Sequence, residues 1–233
     1  MSMMQAERPG LVEATRPPEE IIQRRVAREL TPNTLVNLGI GLPTGVSRYV
    51  PAHAAIFFQS ENGIIGMGMR PPEGMEDVDL TDAGGGFVTA MPGAATLDST
   101  MSFGLIRGGH LDATVLGGLE VDEDGRLANW MVPGKMVPGM GGAMDLVTGA
   151  RRVIVAMQHT ARGGKPKIVP KCTLPLTSTR RVTLIVTDLA VIQPTDGGLV
   201  LRERAPGVSV DAILAATAAR LFVPEQVPEM ALL

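Results

Sequence analysis

Glu61 stands in the tetrapeptide Ser60-Glu61-Asn62-Gly63, directly after the apolar run Ala54–Gln59. That run reads as a strand, so the carboxylate is expected just past its C-terminal end. Asn62-Gly63 is a pair that readily takes positive φ. A glutamate on so sharp a turn can act as nucleophile, general base or electrostatic anchor. Asn62 either orients Glu61 or shapes the turn. Three further glycine-rich turns accompany this one: Asn37–Gly45 (NLGIGLPTG), Gly84–Gly86 and Gly134–Asp145 (GKMVPGMGGAMD). None matches a nucleotide fingerprint. Gly39, Gly41 and Gly45 are spaced one residue too long for G-x-G-x-x-G, Gly63, Gly66 and Gly68 run in the wrong order, and no G-x-x-x-x-G-K-[ST] occurs. Four such clusters in one chain point to backbone that closely approaches a ligand.

Short apolar runs separated by these turns must position them. Pro17 and Pro18 open a helix, Glu19 and Glu20 suit its positive end, and Ile21, Ile22, Val26 and Leu30 form its apolar face before Thr31-Pro32-Asn33 stops it. Strands are expected at Thr34–Leu38, Ala54–Gln59, Phe87–Met91, Ala113–Leu116, Val153–Met157 and Val182–Thr187. Several are apolar throughout, as in strands buried on both faces. Helices are expected at Thr44–Tyr49, Ser99–Ile106 and Val210–Leu221, the last with Ser209 as N-cap. Buried strands alternating with helices predict a three-layer α/β fold. In an open sheet of this kind, loops leaving the strand C-termini line the ligand crevice. Residues 1–17 read as a polar leader and 18–233 as a single domain.

Composition narrows the function. The 233 residues carry a net charge of −3, with no basic excess to neutralise a phosphate backbone, and aromatics are only 3%. Nucleic acid is therefore excluded as a partner. The lone Cys172 rules out a disulfide framework. His53, His110 and His159 show no metal-ligand spacing, so no metal is expected. No apolar run approaches the ~18 residues of a membrane span, and no signal peptide core is visible, so a cytoplasmic location is the default.

Five segments carry a resemblance: Asn37–Pro43 (NLGIGLP), Ser60–Gly66 (SENGIIG), Leu127–Lys135 (LANWMVPGK), Gly139–Leu146 (GMGGAMDL) and Lys171–Thr177 (KCTLPLT). Together the chain resembles the β subunits of succinyl-CoA:3-ketoacid CoA-transferases, in the class I CoA-transferase family, from about residue 18 to the C-terminal helix. The resemblance implies an open α/β/α sandwich of the CoA-transferase type. It implies that Glu61 is the covalent nucleophile and that the Gly142 N–H donates to the oxyanion. Asn37, Gly39 and Gly41 are expected to form another crevice wall, with Asn62 and Gly141 also facing substrate. Lys135 and Lys171 are candidates for CoA phosphates. Trp130, Cys172 and His110 read as structural.

The implied reaction is ping-pong transfer of CoA from succinyl-CoA to a 3-oxo acid such as acetoacetate, through a glutamyl-CoA thioester on Glu61. No cofactor is implied, because CoA is itself a substrate. A homologous α subunit is the implied partner, in an α₂β₂ heterotetramer. Alternatives are transfer to 3-oxoadipate or short-chain fatty acids, CoA-ester hydrolysis, or a sugar-phosphate isomerase or ligand-sensing module on a related fold.

Overall fold

The computed structural model describes residues 16–134 and 140–232, and the structural statements here concern those residues. The expected leader falls almost wholly outside them, as do Lys135 and Gly139.

Helix α1 (Pro18–Ala27) begins with proline in its first turn and acidic Glu19 and Glu20 behind it. It ends three residues earlier than its apolar spacing predicts. The Glu29 and Leu30 N–H groups bond to the Val26 and Ala27 carbonyls, tightening the chain into a turn, and Leu30 stays buried beyond the helix. Strand β1 (Leu35–Leu38) follows, then a 3₁₀ segment at Leu42–Tyr49 where a helix was expected, and a second at Ala52–Ala54. Next come β2 (Phe57–Ser60), β3 (Ile64–Met67), β4 (Ala90–Thr96), α2 (Ser99–Arg107) and β5 (Ala113–Leu116). Then follow β6 (Glu120–Asp122), β7 (Leu127–Ala128), α3 (Ala143–Gly149), β8 (Arg152–Ala156) and β9 (Ile168–Val169). The chain closes with β10 (Leu184–Val186), β11 (Ala190–Thr195), β12 (Gly198–Arg204), α4 (Val210–Ala216) and β13 (Leu221–Phe222).

Ten strands form one mixed sheet in the order β13-β12-β11-β10-β8-β5-β1-β2-β3-β4, and β7-β6-β9 form a small second sheet. The central strands β2, β1, β5, β8 and β10 are parallel; β3 with β4, and β11 with β12, add antiparallel flanks. Successive residues of a strand face opposite sides. Ile154 and Ala156 accordingly join the core under α1, while Val153 and Val155 join the core under α2, α3 and α4. Every central residue of β8 is thus buried, which explains its unbroken apolar sequence. The result is an α/β sandwich of helices on both sheet faces, as the sequence predicts.

Three further expected elements move. The run Ala54–Gln59 becomes a strand only from Phe57, because Ala54 ends a 3₁₀ turn and Ala55 takes φ +50°. The apolar run Phe87–Met91 is not a strand of its own: Val88 hydrogen-bonds back to Leu80, and regular pairing with β3 begins only at Ala90. Helix α4 stops at Ala216, short of Leu221. There the Thr217 hydroxyl donates to the Ile213 carbonyl, the Ala218 and Ala219 N–H groups donate to Ile168, and Leu221 pairs with β12. Tertiary pairing overrides the helical period. Among the described residues no helix is long and apolar enough to cross a membrane.

Candidate active site

The parallel strands β1, β2 and β5 share a C-terminal edge, and the chain segments leaving them meet there. Glu61 is the first residue after β2. The register Ser60↔Ile64 makes residues 61–63 a three-residue hairpin loop into β3, closed by Gly63 N–H to the Ser60 carbonyl at 3.0 Å. Gly63 has φ +126°, and a Cβ there would overlap the Leu97 carbonyl oxygen. Glycine is the residue this turn requires. The Ser60 hydroxyl accepts from Ala83 N–H at 2.9 Å, tying the hairpin to the Gly84–Gly86 loop. That loop is itself organised by Asp82, whose carboxylate accepts from the Gly84 and Gly86 N–H groups.

The Glu61 side chain meets Asn37 of β1, whose Nδ2 donates to Glu61 Oε2 at 3.0 Å. Asn37 is fully buried, and its Oδ1 accepts from the Thr114 hydroxyl of β5 at 3.2 Å. Asn37 therefore holds the carboxylate. Asn62 does not: it is exposed, and its Nδ2 donates to the Thr81 carbonyl at 2.7 Å, so it shapes the turn. Gly142 packs against Glu61 from the N-cap of α3, with φ −83°. A Cβ placed there would sit 3.2 Å from Glu61 Cγ and 3.4 Å from the Phe103 ring. The Glu61 carboxylate and the start of α3 thus flank one cleft of about 550 Å³, with Gly39, Ile40, Gly117, Trp130 and Gly141 among its walls. A carboxylate beside a helix start can attack a carbonyl whose developing negative charge is met by backbone N–H donors.

The expected site residues do not all converge. Gly39 lines this cleft, held by its N–H on the Val115 carbonyl at 2.8 Å. Gly41 lines a separate groove of about 680 Å³ near Arg48 and Arg70, outside the Glu61 cleft. Lys171 is exposed and is not among the cleft-lining residues. Trp130 lines the cleft, while its indole N–H is spent on the Leu176 carbonyl at 3.2 Å. Burial, reinforced by Asp122 and Glu120, pushes the Cys172 thiol up to about 12, which leaves it an unreactive thiol. His159 is buried between the Thr187 and Thr217 hydroxyls, each 2.9 Å from a ring nitrogen, away from the cleft. His110 continues the turn after α2, its N–H on the Leu105 carbonyl.

Two further residues around Glu61 belong to no motif of the sequence. Gln59 Oε1 accepts from Asn37 Nδ2 at 2.9 Å, and Gln59 Nε2 donates to Ser102 Oγ of α2 at 3.1 Å. The Ser102 hydroxyl in turn donates to the Glu61 carbonyl at 2.9 Å. The available signal was a glutamine closing an otherwise apolar strand and a serine on a helix's apolar side.

Fold and site together define an α/β enzyme with a carboxylate-bearing cleft at its strand C-termini. Residues 19–216 match the Coenzyme A transferase family. The chain is 54% identical over 212 residues to the β subunit of an acetate CoA-transferase of Haemophilus influenzae, covering 91% of this chain and 95% of that one. It is 48% identical over 204 residues to one subunit of a succinyl-CoA:3-ketoacid coenzyme A transferase of Helicobacter pylori, covering 88% and 98%. Among solved structures, the acyl-CoA transferase YdiF of Escherichia coli O157:H7 superposes with a TM-score of 0.75 at 23% identity, covering 92% of this chain and 43% of that one. The decarboxylase AibA/AibB superposes with a TM-score of 0.72 at 22% identity, covering 93% and 90%. The chain belongs to the coenzyme A transferase family and is an enzyme of the CoA-transferase class. The structural likenesses are likenesses of fold, and a fold shared with a decarboxylase does not by itself specify the reaction.

Proposed function

We propose that this chain is the nucleophile-bearing β half of a CoA-transferase, and that CoA is carried during turnover as a thioester on Glu61. The observation that carries this reading is the Glu61 carboxylate, held by Asn37 at 3.0 Å on the wall of a cleft that Gly142, packed against Glu61 Cγ, also lines. One carboxylate oxygen attacks the acyl-CoA carbonyl and expels CoA thiolate, leaving an acyl–glutamyl anhydride. The thiolate then attacks the glutamyl carbon. A C–S bond forms, the bond from that carbon to the bridging oxygen breaks, and the first acid leaves as its carboxylate. The second acid reverses these steps. Each addition places negative charge on a carbonyl oxygen, where the Gly142 N–H is a suitable donor. This sequence needs no metal or redox group.

For the substrates, succinyl-CoA as donor and a 3-oxo acid such as acetoacetate as acceptor form the first reading. A second reading, with acetate as the acid, is favoured by identity. Two acetate CoA-transferase β subunits stand at 54% and 55%, against 47% and 48% for two of the succinyl-CoA:3-ketoacid enzymes. The partner is an α subunit, in an α₂β₂ heterotetramer in the cytoplasm. The acetate CoA-transferase relatives are named as β subunits, which supports an α partner.

The test is an acyl-exchange assay over a panel of acids, on the purified chain alone and on its complex with the α subunit. The complex is expected to make a new acyl-CoA without releasing free CoA, and the chain alone to make none. Full transfer by the highly purified chain alone would refute the half-enzyme reading. Release of free CoA and acid in equal amounts would identify a hydrolase instead.

A further inference from the structure

We infer that Gln59, Ser102 and Thr114 are positioning residues that lock the Asn37 amide in one orientation, with its N–H aimed at Glu61 Oε2. The inference rests on the reading of Glu61 as the CoA-carrying residue and adds the groups that aim its partner.

The contacts close a ring. Asn37 Nδ2 donates to Glu61 Oε2 at 3.0 Å and to Gln59 Oε1 at 2.9 Å. Gln59 Nε2 donates to Ser102 Oγ at 3.1 Å, and the Ser102 hydroxyl donates to the backbone carbonyl of Glu61 itself at 2.9 Å. The ring thus begins at the Glu61 side chain and returns to the Glu61 backbone. Thr114 closes the remaining freedom by donating to Asn37 Oδ1 at 3.2 Å. Asn37, Ser102 and Thr114 have no exposed surface and Gln59 has 1%. These four side chains are shielded from bulk solvent, and a half-satisfied network among them would be costly. Flipping the Asn37 amide would set its oxygen against Gln59 Oε1 and Glu61 Oε2, three acceptors with no proton among them. Only one orientation satisfies every group.

That orientation matters at a particular step. When thiolate adds to the glutamyl carbon, the oxygen that is not bridging takes the negative charge. With Oε1 as the attacking oxygen, that oxygen is Oε2, where Asn37 Nδ2 already sits. A donor fixed before the reaction costs no reorganisation when charge develops. The Ser102 bond to the Glu61 carbonyl holds the backbone from which the carboxylate swings, so the two ends of the same residue are fixed together.

The experiment uses the complete enzyme, its α partner included, and three variants, Ser102→Ala, Gln59→Met and Thr114→Val. Each removes hydrogen bonding with little change of shape. Three quantities are read: the single-turnover rate of CoA attachment to the peptide bearing Glu61, steady-state kcat and KM, and the thermal midpoint. Attachment rate and kcat are expected to fall about tenfold or more with KM for acyl-CoA within about twofold, the pattern of lost transition-state orientation. A loss confined to KM, or to thermal stability with wild-type attachment rates, would overturn the proposal. Thr114→Val, a near-isosteric change within β5, keeps the test open should either of the others fail to fold. Wild-type enzyme that shows no adduct on Glu61 would instead overturn the reading on which the inference rests.

Discussion

Gly142→Ala adds one methyl where the structure has least room for it beside Glu61. The new Cβ would lie 3.2 Å from Glu61 Cγ and 3.4 Å from two ring carbons of Phe103. Carbon atoms settle at about 3.5–4.0 Å, so the Glu61 side chain must yield by roughly 0.3 Å. A misplacement of about 1 Å costs about 10²-fold in rate, so a third of that displacement accounts for roughly fivefold. The methyl also enters the space a carbonyl oxygen would use, and the expected total is a loss of about tenfold or more in kcat. Stability should hardly change. The φ of −83° suits alanine. A gain of about 0.4–1 kcal/mol from a stiffer unfolded chain offsets a loss of similar size at the N-cap. Gly104→Ala is the matched control. It lies exposed on α2 with no atom near its would-be Cβ, so it should leave kcat unchanged and stabilise the helix by about 0.5–1 kcal/mol. The assay is steady-state transfer by the assembled enzyme, with thermal melts of each variant. Wild-type kcat in folded Gly142→Ala would refute the close approach of this loop to Glu61.

Two further outcomes concern stability. Gly63→Ala forces an L-residue to φ +126° with its methyl on the Leu97 carbonyl, and should cost about 2–4 kcal/mol in urea unfolding, whereas an unshifted midpoint would contradict the hairpin geometry. Burial lowers the His159 pKa to about 4 from 6.5, so between those pH values the unfolded chain binds a proton that the folded chain does not. Stability is therefore full above about pH 6.5 and falls as the pH drops to about 4, by on the order of 3 kcal/mol from this group alone. His159→Gln should flatten that part of the stability–pH curve, and an unchanged slope would count against the buried neutral imidazole.

The parallel centre of the sheet was legible because burial on both faces writes itself as unbroken apolar runs, as in Val153–Ala156. Glu61 was legible because the turn after β2 needs Asn62-Gly63, and that pair marks the carboxylate's place. The antiparallel flanks were less so. Ile64–Met67 is only four residues long and carries Gly66, so it reads as a continuation of the glycine turn rather than as β3. The β11–β12 hairpin carried a signal in Asp196-Gly197, set between apolar stretches, but Pro194 weakens the first of them. Helix α4 kept its N-cap, Ser209 accepting from Ala212 N–H, yet lost its last turn to pairing with strands remote in sequence. The same distance hides the site's support. Gln59 and Ser102 are 43 residues apart, and Asn37 and Thr114 are 77 apart. Each bond exists only because β1, β2, β5 and α2 come together. Gly41, two residues from Gly39, turns into a neighbouring groove because the chain enters its 3₁₀ segment there.

The role of Glu61 as CoA carrier can be tested directly on the assembled enzyme. The assembled enzyme is incubated with acyl-CoA and no acceptor acid, and the peptide spanning Ser60–Gly63 is weighed by mass spectrometry. A CoA adduct on Glu61 that hydroxylamine releases is expected. Borohydride should reduce the thioester with loss of activity, and folded Glu61→Ala should show neither adduct nor transfer. Normal turnover by Glu61→Ala, or an adduct on another residue, would overturn the role given to Glu61.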